Sequence, residues 1–352
     1  MLLKTTPINL AGVSAVISEN IIPVEKYCEG IASPKKLRKL IDTTGFESLS
    51  IADIDVCCSD MCFQAAEHLF DAGGFSKDEI GALIFITQSP DYRGPSTAYV
   101  LQKRLGLSVE IAAFDVNLGC SGFVYGLYLA SSMLSGLGDK KILLCCGNVV
   151  FRKAKPTSTR RAVLAGDAGS CAIISRKDGA APITFNIQSY GKYWEYLYSE
   201  ESGYRYLKNL AAGKTEPREP DELAHMNGMA VMDFAVHMVV DNINELIADS
   251  GLDKKDIGAY LFHQPQKLII DAMTYRLGLE PSAVIANAWH IGNTDAATIP
   301  LLLTEIGAAW SERPNKKVLM SGFGIGLSIA SVIMDLDNVI CLETKKYERC
   351  EL

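Results

Sequence analysis

Three short blocks of this 352-residue chain recur in the same order at nearly the same distance. GFSKDEIGA at Gly74–Ala82 returns as GLDKKDIGA at Gly251–Ala259. RLGL at Arg104–Leu107 returns at Arg276–Leu279, and KKILL at Lys140–Leu144 returns as KKVLM at Lys316–Met320. The offsets are 177, 172 and 176 residues. One such match would be chance, but three collinear ones argue for a duplicated domain. Between the second and third blocks each copy carries a glycine-rich turn, NLGCSG around Cys120 and HIGNTD around Asn293. Corresponding turns of a duplicated fold meet near its pseudo-twofold axis, so a cysteine and an asparagine are candidates for one site.

The length suits two fused halves, 1–178 with Cys120 and 179–352 with His263 and Asn293. A hydrophobic content of 48% supports a large core, and a net charge of −7 argues against broad nucleic-acid binding. The opening MLLKTTPINLAGVSAVISEN is broken by Gly12, Ser14 and Ser18. It reads as a first strand, not a membrane span or signal peptide. Ten cysteines sit mostly within apolar strings such as Leu143-Leu144-Cys145-Cys146, without the spacing of a secreted disulfide framework. They imply buried thiols in a reducing cytoplasmic compartment. Cys58 and Cys62 share a helix face, but no paired ligands follow, so no metal site is expected.

Strand-like runs cover Ala82–Thr87, Ile111–Val116, Lys141–Cys146, Ala172–Ser175, Ala259–His263, Val284–Ala288, Lys317–Met320 and Leu327–Met334. Helical spacing covers Thr97–Leu105, Gly122–Leu134, Ala230–Asp249, Gln266–Leu277 and Ala296–Trp310. The alternation predicts an α/β layered fold. Gly122–Leu134 and Ala296–Trp310 are rich in small and apolar residues, as expected of helices packed together between two sheets. Tyr190–Met226 is polar and tyrosine-rich and has no counterpart in the repeat, so about 190–226 reads as an insertion or flap.

Cys120 follows a strand and a glycine-flanked turn and lies at the start of a helix. Unpaired N–H groups and the helix dipole there are expected to favour the thiolate. A glycine-flanked cysteine is equally a tight packing position. His263 ends an apolar strand and alone reads as a core histidine, with His290 as a competitor. Asn293 alone reads as a helix cap. Three such residues at strand-end turns of one duplicated fold are what nucleophilic chemistry with a polar pair requires.

Those residues carry a family resemblance. The motifs are GPSTAYVLQKRLGL at Gly94–Leu107, FDVNLGCSGFVYGL at Phe114–Leu127, LAGDAGSCAII at Leu164–Ile174, MNGMAV at Met226–Val231, HQPQKLI at His263–Ile269, GNTDAATIPLLL at Gly292–Leu303 and SGFGIGLSIA at Ser321–Ala330. In these the chain resembles a β-ketoacyl-acyl carrier protein synthase III, a condensing enzyme of the thiolase superfamily. The resemblance implies a thiolase-like fold, two α/β halves in a five-layered αβαβα arrangement, normally a homodimer. It implies that Cys120 is acylated from a thioester and that His263 and Asn293 stabilise the enolate of a decarboxylating malonyl-type extender. The N–H groups of Cys120 and Gly324 would form the oxyanion hole. Gly94, Asn227, Gly228, Gln266 and Lys267 become substrate-binding candidates. Acyl carrier protein and acyl and malonyl thioesters are the implied partners, with no resident cofactor.

The chain also departs from the family pattern. The tryptophan and arginine that clamp coenzyme A are replaced in Lys39–Gly45 by Lys39 and Thr43, and the usual basic residue is missing from Phe46–Leu49. Asp295 stands where the family has a small residue after Asn293-Thr294. Donor recognition is therefore expected to differ, favouring a specialised lipid, polyketide or glycoconjugate pathway. Two rival readings are a non-condensing acyltransferase acting through acyl-Cys120 and a non-catalytic partner of a condensing heterodimer.

Overall fold

The computed structural model describes residues 1–150, 165–200, 203–218, 223–307, 310 and 315–349. Two sheets repeat one topology. In the first, Ile8–Ile17 runs antiparallel to Ala168–Arg176, which runs antiparallel to Lys141–Asn148. Ile80–Ile86 and then Ala112–Val116 follow in parallel. In the second, Ile183–Ser189, Ser328–Asp335 and Lys317–Gly324 are antiparallel in turn, and Ala259–Phe262 lies parallel to the last. A parallel bridge from Tyr260 to Val284 stands where the fifth strand of the first sheet lies.

The chain termini cross between the sheets. Leu2–Thr5 pairs with Ile183–Ser189, while Ile340–Cys341 and Lys345–Lys346 pair with Ile8–Ile17. The opening segment, expected as one strand, is thus two strands in two different sheets. Pro7 between them has no N–H to continue a ladder.

The helices Gly122–Leu134 and Thr298–Ile306 fill the space between the sheets, in one core with Ile84, Leu144, Leu261, Met320 and Val332. Outside the first sheet lie Cys58–Asp71 and Thr97–Leu105, packed on its other face. Outside the second lie Val240–Ser250 and Lys267–Leu277. The result is the five-layered αβαβα arrangement of a thiolase-like fold. The central layer needs close approach of helix to sheet. A β-carbon on Gly126 would stand 2.6 Å from Leu144 Cδ1 and 2.7 Å from Ile86 Cδ1, so any larger residue would push the helix off the sheet.

Differences from the sequence reading have local causes. The helix expected at Ala230–Asp249 begins at Gly228 with Asn227 as its cap and contains a π-helical turn, Ala235–Val239. That turn keeps Phe234, Ala235, Val239, Val240 and Ile243 in the core. Ala296–Trp310 resolves into a short 3₁₀ turn, Asp295–Ala297, and the helix Thr298–Ile306; residues 308–309 of it lie outside the described ones, as does Leu164 of the LAGDAGSCAII motif. Val284–Ala288 makes only its single bridge, because the side chain of Gln264 takes the N–H groups of Asn287 and Ala288 that a ladder would use. The tyrosine-rich segment forms a 3₁₀ turn at Gly191–Tyr196, a two-stranded ribbon of Leu197–Ser199 with Ala224–Met226, and a helix at Tyr204–Ala211. No helix of the described residues is long and apolar enough to cross a membrane.

Candidate active site

Cys120, His263 and Gly324 lie at or just beyond the carboxyl ends of Ala112–Val116, Ala259–Phe262 and Lys317–Gly324. This is the edge at which open α/β sheets bind ligands. The first strand is pinned there by Asp115, whose carboxylate accepts the N–H groups of Thr97 at 2.6 Å and Ala98 at 2.8 Å. The turn after it closes when Gly122 N–H donates to the Gly119 carbonyl at 2.6 Å, and the helix begins at Gly122. Ser121 ties this turn to the other half through a 2.8 Å hydrogen bond between its hydroxyl and that of Ser328.

Gly324 borders the nucleophile so closely that no side chain fits. Its φ is 154°, and a β-carbon would stand 2.6 Å from Cys120 Sγ.

His263 is 1% exposed and is held on its strand by its N–H, which donates to the Ser321 carbonyl at 2.9 Å. Its ring meets Phe323 edge to face at 5.7 Å. Burial pushes its pKa down to about 3, the Asp295 backbone pulling the other way, so the imidazole is neutral at ordinary pH. Neither ring nitrogen has a hydrogen-bond partner of normal geometry among the described residues. A buried neutral imidazole with both nitrogens free is costly to maintain and suits a group that completes its bonds on substrate.

Gln264 sets the approach of the third residue. Its Oε1 accepts the N–H groups of Ala288 at 2.9 Å and Asn287 at 3.1 Å, and Nε2 donates to the Ile285 carbonyl at 3.3 Å. The segment so held leads through Ala288–His290 to Asn293. Asn293 is fixed through its carbonyl, which accepts Gly166 N–H at 2.8 Å, and through Oδ1, which accepts Asp295 N–H at 2.9 Å. That use of Oδ1 leaves the amide Nδ2 to donate.

Asp295 joins these parts. Its N–H holds Asn293, its backbone neighbours His263, and its carboxylate acts on Cys120. It adopts a φ of 55°, in the left-handed region that non-glycine residues seldom enter. The carboxylate reaches the nucleophile turn, since a β-carbon on Gly119 would lie 2.7 Å from Oδ1 and 3.0 Å from Oδ2. Oδ2 is 3.4 Å from Asn148 Nδ2, whereas Oδ1 is buried with no hydrogen-bond partner of normal geometry among the described residues. Burial raises its pKa to about 6, with the Cys120 thiol pulling the other way.

The same carboxylate overturns one expectation. The thiolate of Cys120 is not favoured: burial first, and then the Asp295 charge, push the thiol well above its ordinary value. The N–H groups of Ile325 and Cys120 pull it down but do not prevail. Cys120 is partly accessible as a residue, yet its sulfur lies among packed groups, and these surroundings govern its ionisation.

The candidates for substrate binding are exposed or half-buried. Gly94 is exposed, with nothing within 4 Å of where its β-carbon would be. Asn227 and Gly228 are exposed at a helix start, where Asn227 Oδ1 accepts Ala230 N–H at 3.1 Å. Gln266 is half-buried, and Lys267 is exposed and paired with Asp271 at 2.5 Å. His290 faces Glu47 at 3.4 Å on the surface. Trp289 and Lys267 lie against Gly45, and the Trp289 ring centroid is 6.2 Å from that of Phe46.

Comparison with known proteins identifies the family and the fold. The family model for 3-oxoacyl-[acyl-carrier-protein] synthase III matches residues 114–191, and that for its C-terminal region matches 247–336. A putative 3-oxoacyl-[acyl-carrier-protein] synthase 3 of Campylobacter jejuni is 30% identical over 340 residues, covering 94% of each chain. The chain belongs to the 3-oxoacyl-[acyl-carrier-protein] synthase III family. A β-ketoacyl-[acyl-carrier-protein] synthase III of Syntrophomonas wolfei is 31% identical over 320 residues, covering 87% of this chain and 93% of that one. Among solved structures, the 3-oxoacyl-(acyl-carrier protein) synthase of Burkholderia xenovorans superposes with a TM-score of 0.89 at 29% identity, covering 98% and 99% of the two chains. This synthase III-like chain is thus a condensing-class enzyme of thiolase-like fold.

Sequence reasoning noticed Asp295 only as a departure from the family and Gln264 only as part of a motif. An acid directly after Asn-Thr in a predicted site turn was the available signal for the first.

Proposed function

We propose that this enzyme is a β-ketoacyl-acyl carrier protein synthase of type III, an acyltransferase that joins two thioesters. Cys120 Sγ attacks an acyl thioester, expels its thiol and becomes S-acylated. A malonyl-type thioester on acyl carrier protein then loses carbon dioxide. Its enolate oxygen accepts hydrogen bonds from His263 and Asn293 Nδ2, and the carbanion attacks the acyl-cysteine. The N–H groups of Cys120 and Gly324 receive the tetrahedral oxyanion. Fixed donors aimed at developing charge are usually the largest catalytic contribution.

The observation that carries this reading is the neutral, buried and unpartnered imidazole of His263, joined through the Asp295 turn to Asn293. Simple acyl transfer to an alcohol or amine would leave that pair of donors without a task. A non-catalytic partner subunit would have no use for Cys120. The thioesters supply all the chemistry on this reading, with no resident cofactor or metal, and the working form is a cytoplasmic homodimer. The altered coenzyme A clamp and the bare Gly94 favour a primer larger than acetyl, delivered in a specialised lipid, polyketide or glycoconjugate pathway. Asn227, Gly228, Gln266 and Lys267 would then line the thioester entrance.

The test is intact-mass analysis with acyl-coenzyme A and acyl-carrier thioesters, coupled to measurement of carbon dioxide release from malonyl carrier protein. One adduct, absent in Cys120→Ser, is expected. His263→Ala and Asn293→Ala should still acylate but release carbon dioxide roughly a hundredfold more slowly or worse. Full condensation by either variant would shift the function to non-condensing transfer.

A further inference from the structure

We infer that Asp295 is a further catalytic residue, the proton acceptor for Cys120 during acylation. The inference rests on the acyl-transfer reading above and assigns its first proton transfer.

Four observations converge on this residue. The carboxylate adjoins the nucleophile turn, with both oxygens within 3.0 Å of where a Gly119 β-carbon would lie. Oδ1 is buried there with no hydrogen-bond partner of normal geometry among the described residues, an acceptor beside the Cys120 thiol. The backbone is held in a left-handed conformation, φ 55°, by the Asn293 side chain, so the placement is enforced rather than incidental. Finally, the thiol next to it is kept protonated by its surroundings, so attack on a carbonyl needs a base.

The groups beside the carboxylate are Cys120 on the nucleophile turn, the amides of Gln88 and Asn148 from neighbouring strand ends, and His263 against its backbone. Only Cys120 and His263 among these titrate. His263, with a pKa near 3, is too weak a base to hold the proton, whereas Asp295, near 6, is matched to the task.

The step balances without a co-reactant. As Cys120 Sγ bonds to the thioester carbonyl carbon, its proton passes to Asp295 Oδ1 and the carbonyl electrons move to oxygen. Collapse of that oxyanion breaks the bond to the donor sulfur. The departing thiolate takes the proton from Asp295. S-acyl-Cys120, a free thiol and an ionised Asp295 remain.

The experiment measures single-turnover acylation by acetyl-, isobutyryl- and octanoyl-coenzyme A and by the same acyl groups on carrier protein. Alkylation by iodoacetamide serves as a probe independent of substrate. In the wild type both rates should rise with pH through about 6 and level off, instead of following a thiol above 9. Asp295→Asn should lower both by about a hundredfold or more. On enzyme that is already acylated, carbon dioxide release from malonyl carrier protein should fall far less than acylation does, since the N–H that orients Asn293 is kept. Asp295→Gly, which tolerates the positive φ, should be slow and regain rate with added formate.

Wild-type rates in Asp295→Asn, or a wild-type profile without an inflection near 6, would overturn the assignment. So would an Asp295→Gly variant indifferent to formate. If no thioester acylates the wild type while alkylation still depends on Asp295, the base assignment stands and the acyl-transfer reading falls.

Discussion

The backbone N–H of Asp295 donates to Asn293 Oδ1 across 2.9 Å, and this one bond decides which end of the Asn293 amide is available to a substrate. With the oxygen occupied, Asn293 can present only Nδ2, a donor. His263, neutral and with no hydrogen-bond partner of normal geometry among the described residues, can likewise present an N–H. On the proposed function these two donors would meet on one enolate oxygen, and the same turn brings the Asp295 carboxylate to the nucleophile turn.

Burial of His263 makes acid a specific threat to the fold. Its folded pKa, about 3, lies below the ordinary 6.5, so its contribution is full above pH 6.5 and is lost as pH falls toward 3. His263→Leu should therefore show a flatter loss of Tm between pH 6.5 and 4 than the wild type. Parallel curves in thermal unfolding would show that the imidazole is not held neutral.

Asp295 has the opposite sign. Its pKa is raised from 3.8 to about 6, so the folded state favours the protonated form and loses stability as pH rises through 6. Asp295→Asn should be the more stable protein at pH 7.5, by roughly 3 kcal/mol at most. The difference should vanish near pH 4. Chemical denaturation at the two pH values measures it, and equal stability at both would contradict the buried carboxylate.

Gly324→Ala places a β-carbon 2.6 Å from Cys120 Sγ at a φ of 154°. The expected result is a folded protein whose Cys120 acylation falls by about two orders of magnitude, as the displaced sulfur leaves its donors. Stopped-time mass spectrometry checks this, and undiminished acylation would argue against Gly324 as part of the oxyanion site.

Gln264→Leu removes acceptor bonds from two backbone N–H groups and one donor bond, in a turn that is buried at Ala288 and part-buried elsewhere. A loss of about 2–4 kcal/mol is expected, since unpaired buried groups cost about 1–3 kcal/mol each. Asn293 rides on the same segment, so carbon dioxide release should fall more than acylation. Equal effects on both half-reactions would indicate a purely structural role.

Gly94→Phe has open space within its own protomer, so folding and Tm should be unchanged. If this position faces the partner subunit's acyl tunnel, the substitution should invert a preference for long or branched primers toward acetyl. Acylation rates across chain lengths provide the readout, and an unaltered order would remove Gly94 from substrate selection.

Much of this enzyme was written in local patterns. Apolar spacing placed Thr97–Leu105 and Gly122–Leu134 at the bounds observed. The recurring blocks anticipated two sheets of one topology, and the motifs around Cys120, His263 and Asn293 marked them as candidates for one site. Spacing can do this because helices and strands reveal which face they bury within a few residues. Tertiary structure decided the rest. Pairing of Leu2–Thr5 with the second sheet and of Ile340–Cys341 with the first depends on which edges remain open once both sheets exist. Replacement of the Val284–Ala288 ladder by the Gln264 side chain depends on a contact across about twenty residues of chain. The raised Cys120 thiol depends first on burial and then on a carboxylate 175 positions away in a left-handed turn. A helix-start cysteine read alone predicts a favoured thiolate; desolvation and a neighbouring charge, which exist only in the folded protein, reverse that outcome.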